Sequence, residues 1–482
     1  MTQTTLAEKS LRGDRVIQAT IVAYIILFLF AKQTDGLAHA GSWAFLVLGT
    51  IILLIFLGLM IYNLSPFHPL HSFPGPLIFR STNFAMLYIV YTGRRHLFIA
   101  RLHEKYGNFV RIGPNKLSIL SGDAFHTIYA SAKGFDKSLA YRPGHFPDTG
   151  LFFLRKREEH SNRRKAWAGA FNPAMLVPSA LQNVVDLRIS SMDSFASRVL
   201  QDRSNQMIEL LKRSEGCVLD FGTILARWSY DVMGDLTFGQ GQSFELLKGG
   251  DQNGIIQNGQ KAMVVFDILG EIPAILDILW YLPATREIHC LERLAEKKLQ
   301  DWKCKPSNGP ELLYHLVQKT GEGDDGNQLL ILDTVLAIQA GSDTIAGVLT
   351  LTIYHLLANQ DVYQKLTQEL DEYYLHEQEI NVSSLLKLPY LTAVIWEGLR
   401  LGTPLPGLPR IIPKGGATIS GSYVPGKTIV SVPVYAHQTS KGNFSPEPLS
   451  FRPGRWLQGG LGPDSVLDSS AMICFSSGAQ SI

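Results

Sequence analysis

Apolar residues are spread unevenly along this chain. Val16–Ala31 carries no charge, and Trp43–Tyr62 forms a second uncharged run. As a helix rising 1.5 Å per residue, the second reaches across a hydrocarbon core of about 30 Å. The first is shorter, so it crosses at an angle or lies in the interface. A cleaved leader is the alternative for the first run, but no small-residue cleavage pattern follows it. Lys9, Arg12 and Arg15 precede the first run, and Arg80, Arg94 and Arg95 follow the second. With two spans, those basic flanks place both ends on the cytosolic side. Residues 1–64 are therefore expected to be a membrane anchor with spans at 16–31 and 43–62.

Ser65–Pro76 holds four prolines. Proline fixes φ and removes an amide donor, so this segment is expected to be a stiff, extended hinge. His68 and His71 within it read as turn residues rather than metal ligands. From residue 77 to 482 no shift in composition marks a second boundary. Ala180–Leu211 and Ala295–Lys303 have amphipathic helical spacing, and Gln328–Leu357 is long and mostly apolar, with the Gly321–Gly326 loop before it. Phe109–Ile112 and Lys116–Leu120 read as strands parted by Gly113-Pro114, and Thr428–Val434 as a third β-prone piece. The fold class that follows is mainly α with a smaller β portion, an α+β domain behind the anchor.

Charge and composition narrow the function. Lys and Arg number 44 against 42 Asp and Glu, a net charge of +2. That balance gathers no nucleic acid. A hydrophobic content of 46% excludes a mainly disordered chain. Cys217, Cys290, Cys304 and Cys474 lack paired spacing, so neither a disulfide framework nor a zinc site is expected, and a reducing compartment fits. Gly239-Gln240-Gly241 lacks the third glycine of a dinucleotide fingerprint. There is no P-loop, HExxH or nucleophile-elbow serine.

The informative segment is Gln328–Leu357, with Ala340-Gly341-Ser342-Asp343-Thr344 at its centre. A glycine there admits a bulky ligand close to the backbone. An acid and a hydroxyl in apolar surroundings point to a proton path beside a buried reaction centre. Two other readings stand beside it: a third membrane span, which Asp333 and Asp343 interrupt, and a core helix whose Thr344 bonds a carbonyl one turn back. Glu397 and Arg400 share a helix face at i and i+3. Arg455, in Phe451-Arg452-Pro453-Gly454-Arg455-Trp456, could fork onto Glu397 and give a buried acid two charge-assisted partners.

In that order, and followed by Phe475-Ser476-Ser477-Gly478, these segments resemble the cytochrome P450 family of haem-thiolate monooxygenases, in its membrane-anchored fungal form. The likeness runs from Phe73-Pro74-Gly75-Pro76 to the C-terminus and takes in Phe221–Gly239, with Tyr230-Asp231 and Phe238-Gly239. The resemblance implies haem as cofactor and electrons from NADPH through a membrane-bound cytochrome P450 reductase. It also implies oxidation of a lipophilic small molecule by O2, in secondary, terpenoid-like metabolism, at the endoplasmic reticulum with the body facing the cytosol. By the same match Asp343 and Thr344 would deliver protons during oxygen activation. Glu397, Arg400 and Arg455 would form a structural triad. His160 and Arg164 would stand where the family has an aromatic-x-x-x-Arg helix that holds a haem propionate. Arg410 would be a second propionate partner, and Gly478 would belong to the haem loop.

One departure stands out. The family loop runs Phe, x, x, Gly, x, Arg, x, Cys, whereas here Gln480 falls at the arginine position and Ile482 at the axial cysteine. Isoleucine has no lone pair for iron, and Cys474 lies eight positions away. No metal ligand is therefore assigned. The chain as written is expected to be catalytically inert, a monooxygenase clipped within its haem loop. The alternative is a non-catalytic membrane-anchored binding protein or pseudogene product of the same family.

Overall fold

A computed structural model describes residues 13–475 apart from 36, 131–133, 142–149, 169–190, 280–284, 306–310, 321–322, 375–379, 381 and 405–406. Helices α1 (Gly13–Asp35) and α2 (Leu37–Leu64) pair as a hairpin, Tyr24 and Phe28 of α1 lying against Gly41 of α2. Both are long and apolar enough to cross a membrane, and only 6% of each apolar window is buried within the protein. α1 is longer than the uncharged run 16–31 because Arg15 and Lys32 are absorbed into its ends. There their long side chains can reach the headgroups.

The proline-rich segment corrects the expectation of an extended spacer. The amides of residues 65, 68, 71 and 73 each donate to the carbonyl three residues back, so Pro66 and Pro69 stand within consecutive tight turns, while Pro74 and Pro76 lie in the short extended stretch that follows. The φ that proline fixes suits a turn as well as it suits an extended chain. Leu70 is fully buried in the core beneath the sheet, and the Arg111 amide donates to the Pro74 carbonyl at 2.7 Å. His68 is buried too, its Nδ1 accepting from the Leu70 amide at 3.1 Å. Burial, then the charge of Arg111, hold its imidazole down at about 4. No metal-holding cluster occurs among the described residues.

The body begins with α3 (Leu77–Ser81), α4 (Phe84–Tyr91) and α5 (Arg95–Tyr106). The hairpin β1 (Phe109–Gly113) and β2 (Lys116–Ile119) follows, and then β3 (Asp136–Lys137). Next come α6 (Arg157–Trp167), α7 (Ser191–Arg213), α8 (Phe221–Phe238), α9 (Leu246–Gly249), α10 (Ile255–Gly270), α11 (Pro273–Leu279), α12 (Arg286–Cys304) and α13 (Leu312–Lys319). The first part of the helix expected at 180–211 lies outside the described residues. α14 (Asp324–Ala358) takes in the end of the expected 321–326 loop. Beyond it lie α15 (Gln360–Tyr374), α16 (Val382–Leu385) and α17 (Pro389–Leu401).

The remaining elements are β4 (Arg410–Ile411), β5 (Ala417–Ile419), β6 (Ser422–Val424), β7 (Ile429–Ser431), α18 (Val434–Gln438), β8 (Phe444–Ser445) and β9 (Val466–Leu467). Pro433 shortens the strand expected through Val434, which opens α18 instead.

Five strands form one sheet in the order β1-β2-β7-β4-β3. β2 pairs parallel to β7 with Leu117 opposite Val430, and β3 pairs antiparallel to β4 with Lys137 opposite Arg410. α14 also meets the length and composition of a membrane span, but 56% of its window is buried. It packs along α8, α12 and α17, and Asp333 and Asp343 find partners inside the fold. It is the central core helix.

Candidate active site

Every three to four residues α14 turns a side chain toward one cavity: Ala340, Thr344, Val348 and Thr352. The cavity holds about 510 Å³ and is closed on other sides by Ile395 and Leu399 of α17, by Leu408 and by Phe475. Its wall is almost wholly apolar. The Thr344 hydroxyl donates to the Ala340 carbonyl at 2.6 Å, one turn back. Gly341 corrects the sequence reading. A Cβ there would stand 2.5 Å from Met233 Cε, so the glycine admits a side chain of α8 rather than a ligand.

Asp343, like Gly341, meets a side chain of α8. It is not in the cavity wall, and its Oδ1 accepts from the Tyr230 hydroxyl of α8 at 3.1 Å. Burial pushes its carboxyl up to about 6, while the Tyr230 hydrogen bond pulls the other way. Adjacent in sequence, the acid and the hydroxyl therefore point to different neighbours.

Two basic side chains, Arg410 and Lys137, stand at one margin of the cavity. Arg410 of β4 donates to the Tyr141 hydroxyl at 3.2 Å, and its guanidinium lies 5.1 Å from the centre of the Tyr129 ring. Lys137 lies opposite it in the β3–β4 register, and its Nζ donates to the Phe152 carbonyl at 2.7 Å. Both are buried, and neither meets a carboxylate among the described residues. Burial, then the like charge of Arg410, bring the Lys137 ammonium down to about 6. Sequence reasoning missed Lys137. Strand register is the signal that finds it, since nothing in its own neighbourhood distinguishes it from a surface lysine.

α6 turns one face inward. His160, Arg163 and Trp167 form its buried face, whereas Arg164 is half-buried. Arg163 Nε donates to Asp333 Oδ2 of α14 at 2.7 Å, and the Trp167 indole donates to the same oxygen at 2.9 Å. The Leu151 amide takes the other carboxylate oxygen at 2.8 Å. Neither His160 nor Arg164 is among the residues of the cavity wall. The sequence reading passed over Arg163 and the partner role of Asp333.

Glu397, Arg400 and Arg455 meet at the far end of α17. Arg400 grips both Glu397 oxygens, at 2.8 and 2.9 Å, and Arg455 Nε reaches Oε1 at 3.0 Å. The Trp456 indole and the Arg452 amide each donate to Glu397 at 2.9 Å. Burial pushes the Glu397 carboxyl up, but Arg400, Arg455 and the amide outweigh it, so it lies below the ordinary range. Arg400 Nη1 also donates to the Gln438 and Pro448 carbonyls. Cys474 is buried at the cavity, its thiol pushed up to about 11 by burial, and so is not poised as a thiolate. Gly478, Gln480 and Ile482 lie outside the described residues.

An apolar slot that ends in an arginine and in a buried lysine that an incoming carboxylate would help to charge suits a flat apolar cofactor carrying carboxylates, and haem is such a group. A cavity of this kind against a long central helix, with a buried glutamate–arginine lock behind it, fits a haem-dependent oxygenase. The chain belongs to the cytochrome P450 family, which its sequence matches over residues 74–481. It is 31% identical to the cytochrome P450 monooxygenase FCK2 of Fusarium pseudograminearum, over 98% of this chain and 82% of that relative. To the cytochrome P450 monooxygenase ORF11 of Penicillium roqueforti it is 32% identical, over 85% of this chain and 84% of the relative. To aclL of Aspergillus oryzae, named likewise, it is 30% identical over 82% and 79%. Membership makes it an enzyme by family, with haem as cofactor and NADPH acting by way of a reductase.

Proposed function

We propose that the protein is a membrane-anchored monooxygenase that oxidises a lipophilic, terpenoid-like molecule of secondary metabolism. Its electrons would come from an NADPH-dependent cytochrome P450 reductase, at the endoplasmic reticulum with the body in the cytosol. The observation that carries this is the apolar cavity with Thr344 in its wall and Arg410 and Lys137 at its margin. When bound there, haem supplies the oxygen-activating chemistry. Arg410 and Lys137 would hold its carboxylates, and His160 and Arg164 of α6, outside the cavity wall, are the further pair that the family resemblance adds. Thr344 offers a hydroxyl inside the cavity, and Asp343 supplies the proton that the hydroxyl passes on. Glu397, Arg400 and Arg455 keep α17 in place behind the wall, and Gly478 belongs to the haem loop. Apolar side chains exposed beside α2, Leu77, Phe84, Tyr88 and Tyr91 among them, bring the body to the bilayer, where such substrates partition.

Haem uptake followed by the Soret band tests the cavity. Arg410→Gln and Lys137→Met should each weaken uptake about tenfold or more, the loss of one charge-assisted contact. Unchanged uptake in both variants would overturn the assignment. Ile482 favours a second reading, in which this polypeptide binds its lipophilic ligand without oxidising it. The 482-residue protein should then show no thiolate-type carbon monoxide band while still retaining the ligand.

A further inference from the structure

We infer that Tyr230 is a positioning residue for Asp343, holding its carboxyl against α8 and away from the cavity by a hydroxyl proton that Gln339 competes for. The inference rests on the proposed role of Asp343 as the proton source. Tyr230 is fully buried, and its hydroxyl lies 3.1 Å from both Asp343 Oδ1 and Gln339 Oε1. A phenol carries one proton, so the two acceptors share it. Gln339 and Asp343 stand one turn apart on α14 and present both acceptors to the same hydroxyl.

The surroundings hold the group in place. Ser229 donates to the Ser342 carbonyl at 2.9 Å and Met233 fills the space over Gly341, which fixes the register of α8 on α14 on either side of Tyr230. From a third side, Gly259 of α10 closes the group. A Cβ at that position would stand 2.6 Å from the Tyr230 oxygen and 2.5 Å from Gln339 Oε1. Among the described residues no charged side chain bonds to Asp343, and Asp251, just before α10, adds a negative field at Tyr230. Tyr230 therefore sets how readily the carboxyl leaves α8 to serve Thr344.

The test is an infrared titration of the Asp343 carboxyl band in the 482-residue protein, assigned by its loss in Asp343→Asn. It needs no turnover, so its outcome is separable from that of the monooxygenase reading. Tyr230→Phe removes the donor to the ionised carboxylate and should raise the midpoint by about one pH unit, a tenfold change in proton affinity. Gln339→Leu removes the competing acceptor and should lower the midpoint. A merely structural role for Tyr230 moves both variants the same way or neither. An unmoved midpoint in Tyr230→Phe, or equal signs in the two variants, overturns the proposal. If Tyr230→Phe does not fold, the Gln339→Leu result decides alone: a downward shift supports the assignment, and no downward shift ends it.

Discussion

Asp343 is half-buried and Lys137 buried, groups of opposite sign, and in each case the loss of water disfavours the charge. For Asp343 the folded value, about 6, lies above the ordinary 3.8. Its ionisation therefore subtracts stability as pH rises from about 4 to about 6, and the loss is complete above that. With roughly two units between the states, the loss is about 2–3 kcal/mol. Asp343→Asn should remove that slope, so the variant's melting temperature gains on the parent's between pH 4 and pH 7. Lys137 shifts from 10.5 to about 6, so the penalty for its charge grows as pH falls from 10.5 and is full below 6. At pH 7 the haem-free Lys137→Met protein should thus melt no lower than the parent while it takes up haem more weakly. Paired melts and Soret titrations measure both. A Lys137→Met protein that loses stability and keeps its haem affinity would mean that the ammonium serves its two carbonyl partners and nothing else.

At the scale of elements, the glutamate–arginine lock joins α17 to the 452–456 segment, to α18 through the Gln438 carbonyl, and to the 448–450 segment through the carbonyls of Pro448 and Ser450. Glu397→Gln leaves two buried guanidinium groups facing a neutral amide, and the expected loss is about 3–5 kcal/mol. Because the Glu397 carboxyl lies below its ordinary 4.5, the stability it provides is present above that value and fades as acid takes the pH through the folded one. Chemical denaturation of the variant and the parent at pH 7 and pH 4 should show the difference narrowing in acid.

The Glu397–Arg400 pair was legible in the sequence because i, i+3 spacing fixes a shared face, and a second arginine in an aromatic, turn-rich segment suggested a fork. The α14 core was legible because two aspartates interrupt a membrane-length run. What escaped depended on tertiary register. Arg163 and Arg164 are neighbours, and only the rotation of α6 against α14 decides which one meets Asp333. Gly341 gave room to something, but local sequence could not say whether that was a ligand or Met233. The hinge misled because the φ of proline is common to extended chain and tight turn, and the choice was made by Leu70 finding a core beneath the sheet.

For the whole molecule, the helical hairpin predicts a topology. Gly13 at the start of α1 donates to Asp277 of α11 at 3.1 Å, and α2 leads straight into the body, so both outer ends of the hairpin lie on the body's side. Protease added to sealed microsomes should treat a tag ahead of residue 13 and the body alike, and cutting of one with protection of the other would break the hairpin reading. Leu54→Arg puts a charge within α2 at roughly 2.5–3.5 kcal/mol and should release a large share of the protein on alkaline extraction. Retention of that variant at the parent level would mean that α1 and the apolar flank of the body suffice.

The docked turns at 65–73 carry a further meaning for how this protein meets other molecules. A loose tether would let the body tumble above the membrane and sample every orientation before a partner found the right face. With Leu70 seated in the core and Arg111 fastened to Pro74, the mast is stepped into the hull, and rotation about the membrane normal is the main freedom left. Encounters with the membrane-bound reductase proposed above would then be a two-dimensional search at a restricted tilt. Inserting flexible glycine–serine residues after Leu64 should slow that encounter while leaving ligand binding in the cavity untouched.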